Sequence, residues 1–180
     1  AGLEVHALVT LGPVWHLSTS PSDSRHVFTR HGFNGSRPVE GAENWLTRTL
    51  MTDGNGSSMD GYRFGNDYWL DFGHPAAASY VVDLVTRLVE RYPIDGVYLD
   101  AVHYPEAPSG SASVGYNAMA LARFQARTGQ SGVPGQDDAR WSDWRREQIS
   151  ALTRRLAVSA LAVRPALVIS VSGVGTGAAP

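Results

Sequence analysis

The segment that most constrains the fold is residues 94–105, which read IDGVYLDAVHYP. Its first half is a short apolar run typical of a buried strand, and it follows a helix-periodic segment that stops at Tyr92 and Pro93. A loop rich in Ser and Gly and then more helical sequence come after it. This order predicts a parallel α/β fold, with Asp100 at the carboxyl end of a strand, where such folds carry their chemistry.

Two further segments, residues 3–11 and 167–172, alternate in the same way as residues 96–100. Each has an aliphatic face and a face of mixed polar and small residues. An aliphatic face suits a covering layer of helices, whereas a mixed face suits the inside of a closed parallel barrel. We therefore predict three parallel strands of a partial (β/α)8 TIM barrel. Residues 1–180 would form a single domain that is a fragment of the eight-stranded barrel.

Three helices and one long loop complete the predicted organisation. Helices are expected at residues 75–92, 118–128 and 138–163, the first with an apolar stripe that includes Leu84 and the last with Val163 among its packing residues. Residues 12–73 form a loop rich in Gly, Ser, Asn and Pro, and loops of that length are usually functional. Within it, residues 45–51 and 67–71 are expected to pair as a small hairpin.

The composition argues against several classes of binding partner. Fifteen basic and seventeen acidic residues give a net charge of -2, so no basic face favours nucleic acid as a partner. There is no cysteine for a disulfide or a thiolate metal site, and no apolar run approaches the roughly 18 residues of a membrane span. Because the sequence starts without Met and stops directly after a strand, we expect it to be an excerpt from a longer polypeptide, so that missing barrel strands of the parent chain would be its partners.

Four motifs carry a resemblance to a known family. They are GLEVHA at residues 2–7, YWLDFGHP at 68–75, DGVYLDxxxYP at 95–105 and WRRE at 144–147. In this order and spacing they resemble the glycosyl-hydrolase-like family 10 (DUF187) barrels, over nearly the whole chain. The resemblance implies a bacterial TIM-barrel glycosidase that acts on a polysaccharide, with cell-wall glycan as a substrate class and an extracellular or envelope-bound parent protein. Two positions depart from the pattern: Phe72 stands where many relatives have Pro, and Ala101 where relatives often have a second acidic residue.

Asp100 is the candidate catalytic residue, because a glycosidase needs a carboxylate at the mouth of the barrel. The alternative is an Asp that caps the following loop. Glycosidases use a second carboxyl group about 5–5.5 Å away when they retain configuration and about 6.5–9.5 Å away when they invert it. Glu106 and Asp71 are the local candidates, and a strand beyond Pro180 is the expected source.

Further side chains are candidates for substrate binding, either as hydrogen-bonding groups or as aromatic platforms for sugar rings. They are His6, Trp15, His16, Tyr68, His103 and Tyr104. For each, packing inside the protein is the alternative, as it is for Trp45. Packing is the expectation for Trp69 and, because of their helical spacing, for Trp141 and Trp144. Arg145 and Arg146 could recognise an anionic sugar substituent, but we expect them to be ordinary solvent-exposed helix residues.

We expect neither a metal nor a cofactor. Convergence of His6, His16, His74, His103 and Asp100 on a metal was considered, but no H-x-H or H-E-x-x-H spacing supports it. The glycines of residues 173–177 follow a strand, but no helix follows them to bind phosphate. The predicted function is carboxylate-based glycoside hydrolysis, with a noncatalytic carbohydrate-binding barrel module as the alternative; the isolated chain is expected to be inactive.

Overall fold

A computed structural model describes residues 2–16, 19–53, 56–107 and 112–172. The chain is a mixed α/β structure with one parallel sheet and three small antiparallel sheets. The strands are β1 (His6–Thr10), β2 (Pro13–Trp15), β3 (Phe33–Asn34), β4 (Arg37–Pro38), β5 (Thr49–Asp53), β6 (Gly56–Asp60), β7 (Arg63–Phe64), β8 (Asp67–Trp69), β9 (Gly96–Asp100), β10 (Ala112–Val114) and β11 (Val168–Val171). The helices are α1 (Val27–His31), α2 (Pro75–Arg91), α3 (Ala118–Thr128) and α4 (Ala139–Val163).

The parallel sheet has the order β1-β9-β11, so the three strands predicted from their alternation lie side by side. Its aliphatic face, with Ala7, Val97 and Leu99, packs onto the largest hydrophobic core. Helices α2 and α4 pack against each other and supply buried residues to the same core. The opposite face carries exposed apolar side chains, since Leu8 is 68% and Tyr98 40% exposed. The two faces therefore differ as the alternation predicts, except that Leu3, Val5 and Val171, which were expected on the aliphatic face, are 97%, 57% and 44% exposed.

The predicted helices agree closely with the observed ones. His74 caps α2 by accepting a hydrogen bond from the Ala77 N–H, and Asn117 caps α3 by accepting one from Met119. Two packing predictions are wrong: Leu84 is 45% and Val163 38% exposed. The helical period places both side chains near the apolar face, but the core below that face does not extend to them.

The hairpin predicted for the long loop forms only in part. Leu46 and Leu70 form an antiparallel bridge, flanked by backbone hydrogen bonds from the Thr47 N–H to the Trp69 carbonyl and from the Asp71 N–H to the Trp45 carbonyl. The rest of the predicted pairing is wrong, because residues 49–51 belong to β5, which pairs with β6 and β10, while β7 pairs with β8. The chain reverses earlier than expected, because Asp53 already pairs with Gly56. Phe64 pairs with Asp67 in the same way, and in both hairpins the two intervening residues are Gly and Asn, which two-residue turns favour.

A second hydrophobic core lies where α3, the start of α4 and β5 meet. Trp141 and Trp144 stack in it with ring centroids 5.0 Å apart, and both are buried. The prediction that helical spacing of these two tryptophans means packing is confirmed. The second core fixes the first turns of α4, which lie beside the loop that follows β9.

Candidate functional site

Asp100 is the last residue of β9, the central strand of the parallel sheet. Its backbone carbonyl accepts a hydrogen bond from the Leu11 N–H at 3.0 Å, just beyond the end of β1. Its half-buried side chain accepts one from the Ser172 hydroxyl, with Oγ 2.7 Å from Oδ1. Both neighbouring strands thus hold Asp100, one through the backbone and one through the side chain, and the carboxylate is fixed at the carboxyl end of the sheet.

Ala101, the next residue, has a left-handed backbone with φ of +54°. It is the one residue other than glycine with positive φ in the described part of the chain, and its side chain is buried. Such a conformation costs about 1–2 kcal/mol for an L-residue and persists only where the surrounding structure enforces it. The strain lies directly beside the carboxylate, as is common at functional sites.

The loop after Ala101 divides its side chains between the interior and the surface. The Tyr104 hydroxyl points inward, where it donates to Oδ1 of Asp71 and accepts from the Gly73 N–H, both at 3.1 Å. His103 lies at the surface of the loop: its Nδ1–H donates to the Tyr104 carbonyl at 2.7 Å, and its ring packs 5.4 Å from the ring of Trp69. Tyr104 is therefore an anchor of this loop, and its hydroxyl is not directed at a substrate.

Asp71 is fully buried and lies between β8 and α2. Besides the Tyr104 hydroxyl, it accepts hydrogen bonds from the backbone N–H groups of Gly73 and Asn117 and from the Thr47 hydroxyl. Loss of solvation on burial outweighs these donors and raises the pKa of Asp71 to about 7. The same burial, together with the neighbouring Asp71 carboxyl, raises the pKa of Tyr104 well above its usual value. With no exposed surface, Asp71 cannot face a sugar, which removes it from the candidates for a second catalytic carboxyl group.

The contact between Asp71 and Tyr104 joins two of the sequence motifs. One motif spans residues 68–75 and the other residues 95–105, and they meet through this hydrogen bond and through Gly73. Gly73 has no room for a side chain, because a Cβ there would lie 2.6 Å from the Trp144 ring and 2.9 Å from the Ala120 Cβ. The motif residues therefore form a packed support beneath the Asp100 loop.

We expect Gly73→Ala to lower the free energy of unfolding by about 1–3 kcal/mol, because the new methyl group overpacks the junction and displaces the N–H that binds Asp71 and Tyr104. Chemical denaturation of the native and variant chains measures the change. Gly135→Ala is the matched control, since a Cβ at Gly135 meets nothing within 4 Å. Equal losses in the two variants would contradict the tight packing at Gly73.

An open cavity of about 440 Å³ lies on the outer side of the Asp100 loop. Its lining includes the aromatic residues Trp69 and His103 and the acidic residues Asp67 and Glu106. Aromatic faces and carboxylates are the groups that bind the apolar faces and hydroxyls of sugars. Of the local candidates for a second carboxyl group, Glu106 is exposed and lines this cavity, in contrast to Asp71.

The other predicted binding residues do not lie at the cavity beside Trp69 and His103. His6 stands at the opposite end of the sheet, paired with Gly96, four residues or roughly 13 Å along the strands from Asp100. The rings of Trp15 and Tyr68 both pack against Phe28 within the long loop, at 6.1 and 4.8 Å. The exposed His16 ring lies 5.6 Å from the Trp15 ring. Trp15 and Tyr68 therefore pack against other side chains, which was the alternative to sugar binding for both.

Sequence reasoning did not identify some residues that line the cavity or bind Asp71. Trp69, for which packing was expected, lines the cavity, and so does Asp67, for which no sequence pattern indicated a role. Thr47 and Asn117 bind Asp71 from elements distant in sequence. Asn117 had a detectable signal as a helix cap, and that role is confirmed, but its side chain also donates to the Asn44 and Leu46 carbonyls. No sequence pattern identified Thr47.

Within the described ranges, no three His, Asp or Glu side chains are grouped as a metal site would require. His74, one of the residues considered for a metal, uses both ring nitrogens in hydrogen bonds, to the Ala42 carbonyl and from the Ala77 N–H. The glycines of residues 173–177 lie outside the described residues. Over the part of the chain that the structure covers, no helix is both long and apolar enough to cross a membrane.

The comparison with family models and the comparison with curated proteins both find glycosyl hydrolases. The model of the family described as glycosyl hydrolase-like 10 matches residues 43–179. The protein named glycosyl hydrolase DigH, from Escherichia coli (strain K12) and also from Shigella flexneri, is 25% identical over 111 residues, which cover 62% of this chain and 22% of the relative. The chain thus spans about a fifth of the length of these curated relatives. A solved structure, α-L-fucosidase isoenzyme 2 from Paenibacillus thiaminolyticus, matches 69% of this chain and 17% of that chain, with a TM-score of 0.44 and 17% identity.

Proposed function

The chain belongs to the glycosyl hydrolase-like 10 family, and from this premise we propose that its parent protein is a glycoside hydrolase in which Asp100 acts on the glycosidic bond of a polysaccharide. The observation that carries the proposal is the position of Asp100. It ends the central strand of a parallel sheet, held by a neighbouring strand at 2.7 Å and followed by a strained residue and a cavity-lining loop. In parallel α/β folds the carboxyl ends of strands carry the catalytic groups.

We also propose that the parallel sheet is part of a (β/α)8 barrel. The order of β1, β9 and β11 across the sheet is the same as their order along the chain. Among the described residues, helices cover the aliphatic face of this sheet and leave the other face open. The other face leaves Leu8, Tyr98 and Val168 at least 40% exposed. Within the described residues, the outer edges of β1 and β11 have no strand partner. Further strands that close the barrel would pair with both edges and cover these side chains.

The role of Asp100 follows from the separation of the two carboxyl groups. A partner at about 5–5.5 Å would make Asp100 the nucleophile or acid/base of a retaining enzyme, and one at about 6.5–9.5 Å would make the enzyme inverting. Glu106 remains a local candidate because it is exposed at the cavity. A strand beyond Pro180 remains the predicted source of the second carboxylate.

For the substrate we propose a bacterial polysaccharide, with cell-wall glycan as the first candidate, and for the parent protein a location outside the cell or in its envelope. The family membership and the bacterial origin of the relatives support this choice. The cavity beside Trp69 and His103 supports a carbohydrate ligand in general, since ring faces and carboxylates suit sugars.

The test is hydrolysis by the full protein that contains this chain and, in parallel, by the 180-residue chain. Release of reducing sugar is measured on purified peptidoglycan glycan strands and on common neutral polysaccharides. We expect the full protein to cleave a glycan and the isolated chain to be inactive, because an incomplete barrel lacks one side of the cleft. Binding of glycans by the full protein without cleavage would instead identify a noncatalytic carbohydrate-binding module and overturn the proposal.

A further inference from the structure

A second cavity, of about 430 Å³, lies on the other side of the Asp100 loop. The loop contributes Val102, His103 and Tyr104, and the first half of α4 contributes Ser142, Arg145, Arg146, Ile149 and Ser150. His103 lines this cavity and also the cavity beside Trp69. A ligand that crosses the loop near Asp100 would therefore contact both cavities.

The two cavities have opposite charge. Among the described residues, the lining of the first includes Asp67 and Glu106 and no arginine, whereas the lining of the second includes Arg145 and Arg146 and no acidic residue. Hydroxyl groups of Ser142 and Ser150 add hydrogen-bonding groups at the second. An anion in this cavity would thus meet two cations and two hydroxyls.

Arg145 is held in place without an acidic partner. Its Nη1 donates to the Val114 carbonyl at 2.7 Å and its Nη2 to the Ser142 hydroxyl at 3.3 Å, while the guanidinium carbon lies 5.9 Å from the Tyr104 ring centroid. Among the described residues, no carboxylate forms an ion pair with it. Burial lowers the pKa of Arg145, since the loss of solvation outweighs the opposing influence of the nearby Tyr104, Tyr116 and Asp71 side chains. A bound anion would supply an ion-pair partner, because guanidinium groups bind carboxylates through paired hydrogen bonds.

Arg146 provides the second, more adaptable cation. Its side chain is 71% exposed and pairs with Asp143, which is itself exposed. Exposed ion pairs of this kind contribute little to stability, so Arg146 can turn toward a ligand at small cost. Val102 and Ile149 add apolar surface of the kind that contacts the face of a sugar ring.

We propose that this second cavity is a subsite for a sugar unit that carries a carboxylate, bound by Arg145 and Arg146 beside the Asp100 loop. The inference rests on the proposed glycoside hydrolase function and extends it by naming an acidic sugar as part of the substrate. It also replaces our expectation that these two arginines are ordinary surface residues.

The test compares two oligosaccharides that differ at one position of each sugar. Oligomers of β-1,4-linked glucuronate and cello-oligosaccharides of equal length share a backbone, but only the former carry carboxylates. We expect the full protein to bind the glucuronate oligomer about tenfold more tightly in calorimetry, and Arg146→Gln to remove most of this preference. Arg145→Lys, which keeps the charge but loses the planar pair of donors, is expected to reduce it as well. Arg154→Gln is the matched control, because Arg154 is an exposed residue of α4 outside this cavity and the change in net charge is the same.

Equal affinity for the two oligomers, or an equal loss of preference in Arg154→Gln, would overturn the subsite. A cello-oligosaccharide bearing sulfate at the same carbon separates carboxylate recognition from general attraction of anions; if it binds as tightly as the glucuronate oligomer, the assignment to a carboxylate is wrong. Glycan cleavage without any preference for acidic sugars would refute only the subsite, whereas failure to cleave any glycan would refute the proposed function itself.

Discussion

In the full protein, Asp100→Asn is expected to lower the turnover number for glycan cleavage by about 10²- to 10⁴-fold, the usual contribution of a positioned acid or base. Asparagine keeps the size of the side chain, and its Oδ1 can still accept the hydrogen bond from the Ser172 hydroxyl. It can neither take up a proton nor form a covalent bond to the sugar as a carboxylate does. The loss should therefore appear mainly in kcat, with KM changed much less.

The comparison variant for Asp100 is Asp83→Asn, the same substitution at an exposed position of α2. Steady-state kinetics of both variants on the glycan that the native protein cleaves measure the effect, and circular dichroism checks that the fold is retained. Full turnover in a folded Asp100→Asn protein would show that Asp100 only caps its loop, which is the structural alternative for this residue.

Local sequence patterns predicted the elements of the parallel sheet and its helices. The alternation in residues 96–100 identified the two faces of β9, and Pro75 and Pro93 bound the apolar stripe of α2. The same alternation placed His6 on the mixed face, but the level inferred for it, one residue pair below the carboxyl end of the strand, is wrong. That level depends on the register between strands, which pairs His6 with Gly96 and so separates it from Asp100.

Local sequence patterns could not predict contacts between segments that lie far apart in the sequence. The hairpin prediction holds for residues 45–47. It fails for β5, because β5 has a closer partner in β6 than in residues 67–71, and because β10 adds to its other edge. Tyr104 was a candidate for sugar binding with packing as the alternative, because a tyrosine in a loop can face either way. Its partner, Asp71, lies 33 residues earlier, so only the folded chain reveals that the hydroxyl points inward.

The free energy of unfolding of the chain, relative to that of Asp71→Asn, is expected to fall by about 3 kcal/mol as the pH rises from 4 to 7. Burial raises the pKa of Asp71 to about 7 from an ordinary value of 3.8, so between these two values the folded chain holds a proton that the unfolded chain has released. Stability from this group is therefore complete at low pH and is lost as the pH rises through about 7. Asparagine does not titrate, so the free energy of unfolding of the variant has no pH dependence from this position.

Chemical denaturation of both proteins at a series of pH values gives the difference directly. The half-buried His31 and the buried His74, whose pKa values burial lowers, also make stability depend on pH, but they are present in both proteins and cancel in the difference. A difference that stays constant from pH 4 to 7 would show that the hydrogen bonds to Asp71 compensate its burial. Tyr104→Phe provides an independent check: because the Tyr104 hydroxyl lowers the pKa of Asp71, its removal should keep the slope and move its upper limit to higher pH.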